Sequence, residues 1–129
     1  MIYEFPITTT TAYTKDSPKK TIVKLTKGII HELDIISDEA CQWTLFVAVA
    51  HGLHQIYPTN QGEYFKLRGE TFSFREYYNL DTRPFSFYIY TYLYDADNSH
   101  DCVVRIGLLR EVDLKEVIIK WSAEEEYIK

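Results

Sequence analysis

The chain lacks any apolar run approaching the ~20 residues a helix needs to cross a bilayer. Its start, MIYEFPITTTT, has neither the basic segment nor the apolar core of a secretory leader. The expectation is synthesis in a cytoplasm, with no membrane partner. Glycine and proline are scarce, at 5 and 4 in 129 residues, which excludes collagen-like repeats and flexible low-complexity filaments. Cysteine is nearly absent: Cys41 and Cys102 stand far apart, with no CxxC or Cys/His spacing to hold zinc. In a reducing compartment two such residues read as free, buried thiols. An excess of positive charge is also missing. The net charge is −5 and the short basic spot Lys19–Lys20 does not outweigh it, so a phosphate-tracking nucleic-acid binder is not expected.

What the chain has is apolar and aromatic content, 46% and 16%, enough for one domain of this length to bury about two-thirds of its unfolded surface. The stretch 84–94, PFSFYIYTYLY, is the most regular. Strict alternation sets Phe85, Phe87, Ile89 and Leu93 on one face of a strand and Tyr88, Tyr90, Tyr92 and Tyr94 on the other. The first face is core. The second is a ladder of phenols that can bury rings while keeping hydroxyls at water or a partner. It either meets a protein or sugar, or is roofed by another part of the chain. The following DADNSHD, 95–101, has the composition of a tight turn, so 84–94 and CVVRIGLL are expected to pair as an antiparallel hairpin.

Earlier in the chain, residues 2–13 read as an extended or edge segment, because Pro6 cannot donate to a ladder. The spacing divides the chain into an arm or edge segment over 1–20, a β core over 21–112 and a tail over 113–129. Within the core, IIHELDII places Ile29, His31, Leu33 and Ile35 on one face, with His31 expected to be a hydrogen-bonded core histidine. WTLFVAVAHG is apolar on both faces, Trp43, Leu45, Val47 and Val49 against Phe46, Ala48 and Ala50, which indicates a strand covered on both sides. Residues 52–65 read as loop, 71–74 as a short strand and 75–84 as connection. The tail changes period: Leu114, Val117, Ile118 and Trp121 form an amphipathic helical stripe over about 114–126, opened by Asp113 and Glu116.

Catalytic chemistry has little to stand on. His51 and His54 are three apart, on opposite faces of a continuous strand, and only a turn at Gly52 would bring them together. The Asp95, Asp97, Ser99 alternation resembles the start of a calcium loop but lacks its glycine and terminal glutamate. No GxSxG, P-loop or GxGxxG occurs. A non-enzyme without a cofactor or metal is expected, and the tyrosines are the better lead.

KGIIHELDI at 27–35, GLHQIYPTN at 52–60, TFSFREYYNL at 71–80 and SHDCVVRIGLL at 99–109 together resemble small single-domain β-sandwich proteins of phage and virus particles. The resemblance implies an all-β, antiparallel, jelly-roll-like sandwich located in the virion and contacting copies of itself and other virion proteins. It transfers no catalytic residue. The expected function is a structural subunit of minor capsid, decoration or cementing type. Its interface residues would be Tyr88, Tyr90, Tyr92, Tyr94 and Trp121. The alternative is a carbohydrate- or receptor-binding module using the tyrosines with Asn60 or 95–101.

Overall fold

The computed structural model describes residues 1–110; the tail over 113–129, with its expected helix over about 114–126 and Trp121, lies outside the described residues. The described chain is all β. Its strands are β1 (Ile2–Thr9), β2 (Lys19–Lys24), β3 (Gly28–Ser37), β4 (Leu45–His51), β5 (His54–Tyr57), β6 (Phe65–Leu67), β7 (Thr71–Leu80), β8 (Ser86–Leu93) and β9 (His100–Leu109). They form two antiparallel sheets, one ordered β1-β9-β3-β7 and the other β2-β8-β4-β5, with β6 also on β4. Alternating residues of both sheets meet in one core that includes Leu33, Ile35, Val104 and Ile106 from the first and Val47, Val49, Phe87 and Ile89 from the second. Inside it the Thr9 and Thr91 hydroxyls bond each other at 2.8 Å, joining β1 to β8 across the sheets.

The topology corrects the expected hairpin. β8 pairs with β2 and β4, while β9 pairs with β1 and β3, so the loop after β8 carries the chain from one sheet to the other. Both strands already have a neighbour on each side, and neither offers the other an edge. An Asx-rich loop reverses the chain equally well within a sheet or between sheets. The same crossing recurs at every connection except those among β4, β5 and β6.

Three local phases also differ from strict alternation. In β3 the register shifts between Ile30 and Glu32, so His31 is an extra residue in a bulge. Ile30, rather than Ile29, therefore joins Leu33 and Ile35 in the core, and the His31 ring lies over Gly107, where a Cβ would stand 3.0 Å from Nε2. Before β4, Gln42 and Trp43 take positive φ, which turns Trp43 out of the core set to 49% exposure. In the third case, residues expected to be loop are strand. Gly52, at φ 63°, closes a β4–β5 hairpin, and β7 runs on through Leu80 as the sheet's edge. Pro6 sits in β1, the opposite edge strand.

Candidate functional site

The face of the five-stranded sheet turned away from the core is built by β8 and its partners. Cross-strand register sets Tyr88 against Ile22 and Ala50, Tyr90 against Lys20 and Ala48, and Tyr92 against Phe46. Directly opposed residues share a face, so three tyrosines of the ladder stand in one row with an aliphatic and lysine row on one side and a phenylalanine–alanine row on the other. Tyr88 and Tyr90 are half-buried, with ring centroids 6.4 Å apart. Lys20 Nζ lies 3.9 Å over the Tyr88 ring, a cation–π contact that holds the ammonium against the face.

Tyr92 differs from its neighbours. It is only 6% exposed, because Phe46 stacks on it at 4.6 Å and 2° while Tyr64 meets it edge-on at 4.8 Å. Burial, then the neighbouring Tyr64 and Glu63, push its phenol pKa upward; burial and Tyr90 do the same to Tyr64. Tyr94 lies past the strand end and is 71% exposed, its backbone N–H donating to Thr44 O. The ladder thus divides into an open pair, a packed residue and an outlying one.

The alanines opposite Tyr88 and Tyr90 leave space. A groove of about 270 Å³ runs over Ala48 and Ala50, with Tyr90 and Tyr64 as aromatic walls and Pro18 and Leu53 at the margins. Gln55 fixes the far wall. Its Nε2 donates toward Pro58 O at 2.7 Å, Glu63 O at 2.9 Å and Asn60 O at 3.3 Å, and its Oε1 accepts from Gly62 N at 3.1 Å. One side chain therefore ties down the loop that carries Gln61 and Tyr64. In the sequence this segment has the look of a loop with no anchor. The Pro, Asn and Gly turn residues marked the bend, but nothing local marked Gln55.

The histidines are drawn into structural roles. The Gly52 hairpin pairs His51 with His54 in register. His51 Nε2 donates to Pro84 O at 2.8 Å, which leaves Nδ1 to accept the Tyr78 hydroxyl at 2.7 Å. His100 is buried with Nδ1 3.1 Å from both Asp38 oxygens, and Asp38 also accepts from Asp101 N at 2.9 Å. Asp101 in turn accepts from Thr8 Oγ1 at 2.6 Å, so the end of the 95–101 loop is fastened to β1 and the β3 end. Cys41 and Cys102 are free and buried. Burial, with Asp101 and Asp38 nearby, pushes the Cys102 thiol up to about 12. Among the described residues no group of three or more His, Cys, Asp or Glu gathers as a metal site.

The arrangement offers aromatic rings, pinned ammonium groups and a small apolar groove, the equipment of recognition. No protein-family model, curated protein or solved structure matches this chain.

Proposed function

We propose that this chain is a non-enzymatic structural subunit of a virus or phage particle, of minor capsid, decoration or cementing type, that works by associating with copies of itself and with other particle proteins. The observation that carries the reading is the outward aromatic face, where Tyr88 and Tyr90 stand half-open beside Ile22, which is 58% exposed. A large apolar and aromatic patch with a polar rim is the usual mark of a protein interface. The strand order supports the same reading. β1-β9-β3-β7 facing β2-β8-β4-β5 is the order of an eight-stranded jelly roll, an architecture used by capsid and lectin domains.

The test is association of the purified protein followed with concentration. Tyr88→Ser with Tyr90→Ser should weaken it by about tenfold or more, as loss of two interface aromatics does, while the isolated fold keeps a cooperative unfolding transition. Tyr92 is unsuited to this test, because its packing against Phe46 and Tyr64 makes it part of the fold. Unchanged association of the double variant overturns the assignment.

The groove favours a second reading, a carbohydrate-binding module in which Tyr90 and Tyr64 stack on a sugar ring. Here the amide of Gln55 is already committed to the loop, so the ring faces would dominate recognition. Saturable binding in a glycan screen, lost in Tyr90→Ser, supports this reading. Absence of binding removes it.

A further inference from the structure

The two sheets sort the charge of the chain. The strands of the five-stranded sheet contain Lys19, Lys20, Lys24 and Lys66 and no Asp or Glu. The strands of the four-stranded sheet contain Glu4, Glu32, Asp34, Glu76 and Asp101 against Arg75 and Arg105. Register puts Lys20 and Lys24 on the tyrosine face with Tyr90 and Ser86, and Lys66 there with Phe46. It puts Glu4 and Asp34 beside Arg105, and Glu32 beside Gly107, on the outward face of the other sheet. These three carboxylates line a shallow groove of about 280 Å³ with Ile2, Arg105 and Gly107. Arg105 is engaged by Glu4 at 2.5 Å and Arg75 stands opposite Glu32 in the β3–β7 register, so three carboxylates face two guanidinium groups, and the one in excess is Asp34, which accepts from the Ser73 hydroxyl.

A chain of net charge −5 thus carries one outward face that is aromatic and cationic and, on its back, one that mixes aliphatic groups with carboxylates in slight excess over guanidinium groups. On the cationic side the ammonium groups lie against rings, Lys20 over Tyr88 and Lys66 Nζ 5.7 Å from the Trp43 ring. Glu63, beside Tyr92 on the covering loop, is the acidic group at its margin, and Arg68 there is paired with Glu70.

We infer that the occupant of the tyrosine face is the acidic outward face of a second copy, so that subunits associate front to back. This rests on the association reading above and specifies its geometry. Identical cationic faces brought together would set Lys20, Lys24 and Lys66 against their own copies, whereas front-to-back stacking opposes them to Glu4, Glu32 and Asp34. Such a contact is heterologous: each subunit keeps one unused face, and the assembly grows into a ring or an open stack.

The experiment uses two variants of the full chain, Lys20→Glu with Lys66→Glu on the front, and Glu32→Lys with Asp34→Lys on the back. Each alone should lose about tenfold or more in association by light scattering, since two charge pairs turn repulsive. Mixed in equal amounts they should regain association, because the intact front of one meets the intact back of the other and the two reversed faces are again opposite in charge; that recovery also demonstrates that both variants are folded. Wild-type association should weaken on raising salt from about 0.05 M to about 0.5 M, as screening shortens. If the back-face variant associates like the wild type, front-to-back stacking is wrong while association through the tyrosines stands. A mixture that associates no better than either variant alone also overturns it. A wild type that stays monomeric at every concentration removes this inference and self-association together.

Discussion

Gln55 is the side chain on which the groove wall depends, and replacing it by glutamate is a severe test of that geometry. The wild-type amide directs two protons at the carbonyls of Pro58, Glu63 and Asn60 and accepts from Gly62 N. Gln55→Leu removes these bonds but leaves the loop carbonyls at Asn60 and Glu63, which are exposed, free to take water. At about 1 kcal/mol net per hydrogen bond, partly restored by solvent, the cost is about 1–2 kcal/mol. Gln55→Glu keeps the bond from Gly62 but turns a carboxylate on carbonyl oxygens, so at neutral pH it should cost about 2–4 kcal/mol. The sign with pH follows. The folded state favours the protonated carboxyl, whose pKa is therefore raised above the unfolded value of about 4.3. Stability of Gln55→Glu should rise as pH falls through the folded pKa and level off below the unfolded one, as one carbonyl regains a donor. Urea unfolding at several pH values, with hydrogen exchange over 58–64, measures both effects. A glutamate variant as stable as wild type at neutral pH, or one that gains nothing on acidification relative to Gln55→Leu, refutes the role given to Gln55.

The remaining predictions concern the interior. Cys102, with its thiol held up to about 12 against an ordinary 9.0, stays protonated in the fold while the unfolded chain ionises above about 9. Stability should therefore fall with rising pH by about 1.4 kcal/mol per unit, beginning near pH 9 and before the tyrosines contribute; Cys102→Ala should flatten the pH 9–10 segment in denaturant titrations. A slope unchanged in that variant contradicts the assignment. Gly28→Ala would bring a Cβ to 2.6 Å from Leu109 O and 2.8 Å from Leu108 Cδ2. Because the nearer atom is backbone in a paired strand, the variant should lose about 1–3 kcal/mol in chemical denaturation. Wild-type stability there would mean that the β3–β9 contact is looser than described.

Periodicity made the central strand readable from sequence. Phe87, Ile89 and Leu93 are buried as alternation required, and Leu45, Val47 and Val49 of β4 face the core, but the other apolar face of β4 is not under a second layer: Ala48 and Ala50 floor the groove beside the tyrosines. Alternation failed where the backbone inserts a residue or leaves the β region. His31 shifts β3 by one position, and the positive φ of Gln42 and Trp43 resets the phase before β4. A bulge leaves no composition of its own in a segment such as GIIHEL. Partner choice was not legible either: the loop after β8 looks like a hairpin turn whether its strands share a sheet or not. The tyrosine ladder could be placed on one face, yet what distinguishes Tyr92 from Tyr90 is Phe46 opposite the one and Ala48 opposite the other. Charge sorting was hidden most completely. Net charge averages Lys20, Lys24 and Lys66 with Glu4, Glu32 and Asp34, and only the strand order separates them onto opposite faces.

The most direct measurement is the solution mass of the purified chain by light scattering over a concentration series, beside Tyr88→Ser with Tyr90→Ser. The account predicts a wild-type mass that rises above the 15.2 kDa of one chain with concentration, and a double variant that stays at or near it. A wild type and double variant with the same mass at every concentration would contradict association through the tyrosine face.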